Sequence, residues 1–239
     1  MCYNISLIKK IADIEELFGA RFAEPESYEY IYHSSAFSAP YHPVITNENV
    51  SAIQLYQWGL IPFWIKDEAA ANRIRFRTLN ARAETIHDKP AFRLSIKERR
   101  CLVIVDGFYE WREVKKKKYP YYIKLGNNAA FAMAGIWDTW WNRETGESKN
   151  TFSIITTEAN PLLGRIHNTR KRMPVILKQE VYQRWLSAGL DRSEIDSLLT
   201  PFDDKQMDAY PVSRLITTRG TNTNVPGVME KYKYKELED

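Results

Sequence analysis

Hydrophobic residues recur at helical spacing just after the amino terminus, at Leu7, Ile8, Ile11, Ile14, Leu17 and Phe18. This period predicts an amphipathic helix that packs on the core and ends at Gly19. Residues 21–50 show no clear period and contain three prolines, so we expect an irregular segment there. Residues 67–77 are charged and poor in large apolar side chains, which predicts a loop or a weak helix.

Strand patterns follow. Residues 53–58 alternate like a half-buried strand, and residues 101–111 and 119–125 are strongly apolar runs. Four lysines at 115–118 fall between the last two runs, so we expect a hairpin with a basic, solvated tip. Further strands are predicted at 131–137, 152–157 and 173–177.

Helix signals separate several of these strands. Pro90 at a first helical position predicts a helix to about residue 99. Asn160 as a cap before Pro161 predicts a second helix, which reaches about residue 166. Two more helices are expected near 179–188 and 192–199.

Strands joined by short turns, with helices placed irregularly between them, predict an α+β fold and not an alternating βαβ array. We expect a single domain whose core is a mostly antiparallel β-sheet or partial barrel with flanking helices. Because no repeat or linker divides the chain, we assign residues 1–225 to this domain and residues 226–239 to a polar C-terminal tail.

Composition narrows the class of protein. The chain has 239 residues, of which 44% are hydrophobic, as expected for a globular protein with a sizeable core. Its formal net charge of +4 permits a polyanionic partner without requiring one. Two cysteines give neither a disulfide framework nor a zinc spacing, and no signal peptide or membrane-spanning run is recognised. We therefore expect a cytoplasmic protein with no metal and no cofactor.

Cys2 is a candidate reactive residue because of its place in the chain. If Met1 is removed, Cys2 carries a free α-amine and a thiol that can close a thiazolidine ring on an aldehyde. The ordinary pKa values of these groups, about 8 and about 8.5, make small environmental shifts sufficient to activate either one. The alternative is an unremarkable residue at a frayed terminus. Cys101 lies in an apolar run and is expected to be a buried strand residue.

Glu110 and His167 are candidates for proton transfer. Glu110 follows a buried strand between two aromatic residues, so partial desolvation would raise its pKa toward that of a general acid or base. An edge-strand glutamate that points to water is the alternative. Histidine suits proton transfer near neutral pH, although many histidines are purely structural.

Asn80 and Arg82 alternate on a predicted extended segment, so their side chains are expected on one side. Asparagine can hydrogen-bond an amine, and arginine can bind a phosphate. An aromatic segment that follows residues 53–58 offers a stacking platform or wedge, with candidates Trp58, Pro62, Phe63 and Trp64. For Trp58, a place in the core is equally compatible with the pattern.

These candidate residues belong to short motifs whose order along the chain resembles that of a known family. Cys2 is followed by Trp58-Gly59-x-x-Pro62-x-Trp64, Asn80-Ala81-Arg82-x-Glu84-Thr85, Asp106-Gly107-Phe108-Tyr109-Glu110-Trp111, Ile166-His167-x-x-Arg170-x-Arg172-Met173-Pro174 and Pro211-Val212-Ser213. The set resembles the SRAP (SOS-response-associated peptidase) family from residue 2 to about residue 215. Each motif is short, and their common order is what makes the resemblance specific.

The resemblance implies a protein that binds single-stranded DNA at abasic sites and crosslinks to them through Cys2. It implies that Asn80 orients the Cys2 amine, that Glu110 and His167 move protons, and that Arg82 contacts phosphate. Arg170 and the aromatic segment are further expected DNA contacts. The same Cys2, Glu110 and His167 would serve a self-cleavage that removes Met1, so lyase-type and peptidase activities are both implied. We expect a monomer, cytoplasmic and nucleoid-associated when bound to DNA.

The sequence departs from the family pattern beside the cysteine. Tyr3 and Asn4 stand where the family usually has glycine and arginine, which narrows the pocket and removes a phosphate contact. The family's Tyr-Asn-x-x-Pro segment is represented by residues 36–40, without the asparagine.

Two other functions remain open on the sequence. One is a cysteine peptidase or amidohydrolase that acts in trans, with His167 as the base for the Cys2 thiol. The other is a non-covalent binder of single-stranded DNA, whose binding would be sensitive to salt and indifferent to the lesion.

Overall fold

The computed structural model describes residues 2–218 and 220–237, and strands and helices alternate irregularly along them. The strands are β1 (Asn4–Leu7), β2 (Arg21–Phe22), β3 (Ile31–Ser35), β4 (Tyr41–Thr46), β5 (Ala52–Trp58), β6 (Asn80–Arg82), β7 (Arg100–Val105), β8 (Gly107–Val114), β9 (Lys117–Leu125), β10 (Phe131–Trp141), β11 (Ser148–Glu158), β12 (Arg172–Pro174), β13 (Ile176–Leu177) and β14 (Met207–Pro211). The helices are α1 (Ile11–Phe18), α2 (Glu68–Arg75), α3 (Arg93–Glu98), α4 (Pro161–Ile166), α5 (Tyr182–Leu186) and α6 (Arg192–Leu198). The predicted α+β class and single domain are confirmed.

Five strands close into a barrel. They pair in the order β11-β10-β7-β4-β5, and a parallel pairing of β5 with β11, Thr151 opposite Gln57, returns the sheet to its start. The other pairings within the ring are antiparallel. Most side chains of these five strands are buried, and many are β-branched or aromatic, as is typical of strands. The predicted partial barrel is therefore a closed one.

A second, five-stranded sheet has the order β14-β9-β8-β1-β3 and carries the amino terminus. Its β8–β9 hairpin turns at Lys115 and Lys116, both with positive φ, as a two-residue hairpin with matched twist requires. The expected hairpin with a basic tip is confirmed. Asp106 joins the barrel strand β7 to β8: its carboxylate accepts hydrogen bonds from the Ser6 hydroxyl (2.7 Å) and the Ile8 amide (2.8 Å).

The first helix and the segment after it differ from the prediction. Leu7 belongs to β1, and α1 begins only at Ile11, because β3 and β8 pair with the preceding residues. Gly19 ends α1 in the left-handed conformation, as expected. Residues 21–50 are not irregular but contain β2, β3 and β4. Pro43 lies inside β4 at a position that pairs only with β5, since the pairing with β7 starts at Val44.

Two further boundaries are corrected. The predicted strand 101–111 is two strands, because Asp106 is bonded to β1 at the point where the chain changes sheets. The helix predicted from Pro90 begins at Arg93, with Pro90 in the preceding turn. Of the two structures expected for residues 67–77, the helix is found: it is α2, which is capped by the Asp67 side chain through the Ala70 amide. The capped helix at Asn160-Pro161 forms as predicted.

The segment that we assigned to a polar tail packs on the second sheet as far as it is described. Val228 is buried, Lys231 pairs with Val212, and the Tyr234 hydroxyl donates to the Val212 carbonyl. Residues 238–239 lie outside the described residues, and the boundary at 225 stays a prediction. No helix in the described ranges has the length and apolar character needed to cross a bilayer.

Candidate active site at the amino-terminal cysteine

Cys2 reaches its neighbours through the pairing of β1 with β8. Ile5 lies opposite Phe108 and Ser6 opposite Gly107. If this antiparallel register continues for two more residues, Tyr3, the residue next to Cys2, lies opposite Glu110. The Cys2 thiol is fully buried and lies 4.0 Å from the Asn4 carbonyl oxygen.

Asn80 holds the Cys2 backbone. It stands at the start of β6, which pairs in parallel with β11, and its side-chain Nδ2 donates to the Cys2 carbonyl oxygen at 2.9 Å. Its Oδ1 is buried and accepts no hydrogen bond from the described residues. The amide therefore has an acceptor available within reach of the chain end. Arg82 follows on the same face of β6 and is exposed.

His167 lies directly after α4, whose start is fixed by the Asn160 side chain on the Leu163 amide (2.8 Å). The loop after His167 is bound to β8 by Asn168, whose amide group bonds both the N–H (3.0 Å) and the C=O (2.8 Å) of Glu113. The ring Nδ1 donates to the Arg172 carbonyl at 2.8 Å, because a carbonyl can only accept. In the neutral ring, Nε2 is then the basic nitrogen.

That nitrogen faces a carboxylate. His167 Nε2 lies 3.7 Å from Glu110 Oε2, and both side chains are buried. Burial raises the pKa of Glu110 to about 7. Burial, together with the nearby Arg170 and Arg172 guanidinium groups, lowers the pKa of His167 to about 4. Near neutral pH the imidazole is therefore neutral, and the carboxyl group exchanges a proton readily.

The thiol itself is held in its neutral form. Burial raises the pKa of Cys2 above the range of an ordinary thiol, and the Glu110 carboxylate raises it further. A buried thiol of this kind is not a standing thiolate nucleophile. It needs a base at the moment of reaction, and Glu110 is close enough to influence its charge.

A cleft of about 490 Å³ opens beside these groups. Its lining residues come from the amino terminus, the 36–38 turn, the β8–β9 hairpin and the loop after α4: Tyr3, Phe37, Glu110, Trp111, Glu113, Lys118, His167, Thr169 and Arg170. Cys2 is fully buried and does not line the cleft, whereas the adjacent Tyr3 does. The carboxylate, the imidazole and the predicted contact Arg170 all face it.

Only two of the four residues of the aromatic segment are exposed enough to contact DNA. Trp58 is fully buried, stacks on Phe152 and donates from its indole nitrogen to the Leu79 carbonyl (2.8 Å), so it is a core residue and its assignment as a DNA contact is corrected. Pro62 is also buried. Phe63 and Trp64 are 47% and 42% exposed, but neither lines the cleft.

Other cleft residues carried no clear sequence signal. Phe37 lies in a segment predicted to be irregular, and Lys118 in one explained as a solvated turn. The Arg172 carbonyl, which fixes the His167 tautomer, is a backbone group that no side-chain pattern indicates. Tyr3 was identifiable only as the residue beside Cys2. Among the described residues, no group of three or more His, Cys, Asp or Glu side chains could hold a metal ion.

Fold and site together define a single-domain α+β protein with a closed barrel and a cysteine–glutamate–histidine site at the chain end. The chain belongs to the SOS response associated peptidase (SRAP) family, which it matches over residues 1–219.

Relatives extend across bacteria, a phage and eukaryotes. The chain is 38% identical to the abasic site processing protein YoqW of Bacillus subtilis, over 97% of this chain and 100% of that protein. It is 33% identical to the mouse abasic site processing protein HMCES, over 70% of this chain and 54% of that protein. A crystal structure of a Bacteroides thetaiotaomicron protein superimposes with a TM-score of 0.91 at 40% identity, covering 97% and 100% of the two chains. A Bordetella bronchiseptica protein gives 0.76 at 26%, covering 89% and 100%.

Proposed function

We propose that this protein processes abasic sites in single-stranded DNA by trapping them covalently on Cys2. The observation that carries the proposal is the convergence of Asn80, Glu110 and His167, from three separate parts of the chain, on the segment that bears Cys2. Relatives at 33–38% identity that are named abasic site processing proteins support the same substrate.

The reaction needs the α-amine of Cys2, so Met1 must first be removed. An abasic sugar equilibrates with a ring-opened aldehyde. The amine adds to that aldehyde carbon, and loss of one water gives an imine. The thiol then adds across the imine: sulfur bonds to the carbon, and its proton passes to nitrogen. The product is a thiazolidine that contains every atom of the aldehyde and aminothiol except that water.

Glu110 and His167 supply the proton transfers. With a pKa of about 7, Glu110 can protonate the departing hydroxyl group as the imine forms and then accept the thiol proton. Neutral His167 accepts a proton through Nε2 when the sugar ring opens. Because burial holds the Cys2 thiol neutral, its addition depends on such a base.

Asn80 and the arginines position the reactants. Asn80 fixes the Cys2 carbonyl, and its buried Oδ1 is available to the new α-amine. Arg170 at the cleft and Arg82 on β6 provide phosphate contacts. The exposed Phe63 and Trp64 would meet bases farther along the strand or at a duplex junction. We expect a cytoplasmic monomer that joins the nucleoid when bound to DNA.

The proposal is tested with protein whose intact mass shows the loss of Met1. It is incubated with a single-stranded oligonucleotide that contains one abasic site, and in parallel with the same strand carrying a tetrahydrofuran analogue, which has no aldehyde. A heat-stable shifted band with the first strand alone supports covalent trapping. No band with either strand would refute the proposal.

The same reactions separate the alternatives. A peptidase or amidohydrolase would turn over a peptide substrate without DNA. A non-covalent binder would bind both strands equally, with a steep loss of affinity in salt and no heat-stable product. Removal of Met1 by the protein itself would be lost in Glu110→Gln, whereas removal by an aminopeptidase would continue.

A further inference from the structure

Two aromatic side chains form one wall of the cleft beside Cys2. The rings of Tyr3 and Phe37 are in contact, with centroids 5.0 Å apart and planes tilted by 42°. Tyr3 is half-buried, whereas Phe37 is 59% exposed, and both line the cleft. Phe37 thus presents an exposed apolar ring to the cleft, next to the charged side chains that line it.

The backbone holds Phe37 in this place. It lies in a short 3₁₀ turn at Ala36–Ser38, which is closed by the Ala39 amide on the Ala36 carbonyl (3.0 Å) and by the Ser38 hydroxyl on the Ser35 carbonyl (2.8 Å). The Ala36 amide also donates to the Tyr3 carbonyl (2.8 Å). The turn is thus attached directly to the residue next to Cys2, and its exposed ring needs little further ordering to bind a ligand.

Cations near this wall can neutralise the phosphates of a polyanion, beside the carboxylates Glu110 and Glu113 that line the same cleft. Arg170 and Lys118 line the same cleft and are exposed. Arg82 and Arg170 also act on the Tyr3 hydroxyl, where they counter the rise in its pKa that burial causes. Exposed rings interleaved with cations are the arrangement with which proteins bind single-stranded nucleic acid, through stacked bases and neutralised phosphates.

We propose that Phe37, supported by Tyr3, is a stacking site for the nucleobase next to the abasic nucleotide. The occupant is an immediate neighbour of the lesion, because the wall is attached to the residue beside Cys2. This inference rests on the proposed function, since it takes the strand in the cleft to be the one whose lesion reacts. The site contributes binding and orientation and takes no part in the covalent step.

The test measures binding without crosslinking. Fluorescence anisotropy gives the Kd of Met1-free protein for labelled single strands with one central tetrahydrofuran. In two further strands, the nucleotide on its 5′ side or on its 3′ side is also a tetrahydrofuran. For the wild-type protein, we expect removal of the base on one side to weaken binding by ~5- to ~150-fold, as one lost stack does.

Variants then identify the ring responsible. Phe37→Ala should bind all three strands with one weakened affinity, so that the dependence on the neighbouring base disappears, and Phe37→Trp should retain it. Trp141→Ala is the matched control, because Trp141 is equally exposed at 59% and does not line the cleft. It should behave as the wild type does.

Two results would overturn the inference: a wild-type Kd that is the same for all three strands, or a base dependence that survives in Phe37→Ala. Because the strands carry no aldehyde, this outcome is separate from the failure of the proposed function. Base stacking without any crosslink to true abasic DNA would refute the trapping proposal and leave the stacking site standing.

Discussion

His167 Nε2 and Glu110 Oε2 lie 3.7 Å apart at the wall of the cleft, although the two residues are 57 positions apart in the chain. Burial lowers the pKa of the imidazole to about 4 and raises the pKa of the carboxyl group to about 7. The usual order of the two values is therefore reversed. The favoured neutral-pH state is a neutral base beside an acid that can give or take a proton.

The two cysteines should differ completely in reactivity. Cys2→Ala removes the thiol that closes the ring, so we expect no heat-stable crosslink to abasic single-stranded DNA. A transient imine through the α-amine should still be trapped by borohydride. Cys101→Ala is the control, because Cys101 is equally buried but lies in the barrel strand β7. If Cys101→Ala also abolished the crosslink while remaining folded, Cys2 would not be the specific nucleophile.

Glu110 should determine the rate of crosslinking and the dependence of that rate on pH. Glu110→Gln keeps the shape of the side chain and removes its ionisable proton, so in protein freed of Met1 we expect crosslinking to slow by ~100-fold or more, as loss of a general acid–base group does. In the wild type, the protonated acid that assists dehydration is lost as pH rises through about 7, and this limb of the pH–rate profile should vanish in the variant. Glu113→Gln, in the same cleft, should change neither. An unaltered profile in Glu110→Gln would contradict the assignment.

Stability should depend on pH in opposite senses for the two partners. Between pH 4.5 and about 7, folded Glu110 binds a proton that the unfolded chain does not, so its contribution falls as pH rises. Between about pH 4 and 6.5, the unfolded chain binds the extra proton at His167, so that contribution rises with pH.

Single variants should expose each contribution. From pH 5 to pH 7, the change in the free energy of unfolding should be smaller than the wild-type change in His167→Gln and larger than it in Glu110→Gln, each by ~1–3 kcal/mol. The comparison is made with the wild type because burial also lowers the pKa values of His33 and His42, which are present in all three proteins. Urea unfolding at the two pH values measures the three changes, and the wild-type value is expected between those of the variants. Displacement of both variants from the wild type in the same direction would show that burial does not shift the two pKa values in opposite directions.

Asn80 should affect the reaction more than binding. Asn80→Ala removes the hydrogen bond to the Cys2 carbonyl, which is worth ~1 kcal/mol, and frees the chain end to move. We expect a crosslinking rate at saturating DNA that is ~10-fold lower, with an unchanged Kd for tetrahydrofuran-containing strands. Asn150→Ala is the matched control, since Asn150 bonds the Thr139 hydroxyl on the barrel. A rate equal to that of the wild type would remove Asn80 from the site.

Arg170 should act through phosphate. Arg170→Gln should weaken binding similarly for all sequences and reduce the slope of log Kd against log salt concentration by about 0.7, the value for one contact to a single strand. Arg192→Gln replaces an exposed arginine that pairs with Asp196, and its slope should equal that of the wild type. A salt slope unchanged by Arg170→Gln would show that this side chain does not contact the backbone of the DNA.

The sequence predicted the fold where local signals were strong. The alternating β5, the β8–β9 hairpin and the capped α4 follow from alternation, turn residues and a cap-proline pair that act within a few residues. It failed where partners distant in the chain decide the structure. Leu7 is a strand residue because β3 and β8 pair with β1, and Pro43 fits β4 only because the pairing with β7 starts one residue later.

In the site too, the sequence indicated the individual residues, but contacts between distant parts of the chain decide their arrangement. Cys2, Asn80, Glu110 and His167 were identifiable from their chemistry and their order, but their contacts arise from two separate strand pairings and one loop attachment. Trp58 shows the limit of residue type: the same indole suits a stacking platform or a core, and only the closure of β5 against β11 places it inside.

Covalent trapping on Cys2 is tested most directly by the intact mass of the Met1-free protein after exposure to single-stranded DNA with one abasic site. We expect one adduct, at the mass of protein plus oligonucleotide less one water. We also expect acetylation of the Cys2 amine to prevent this adduct. No adduct, or the same yield from the acetylated protein, would contradict a reaction at the chain end.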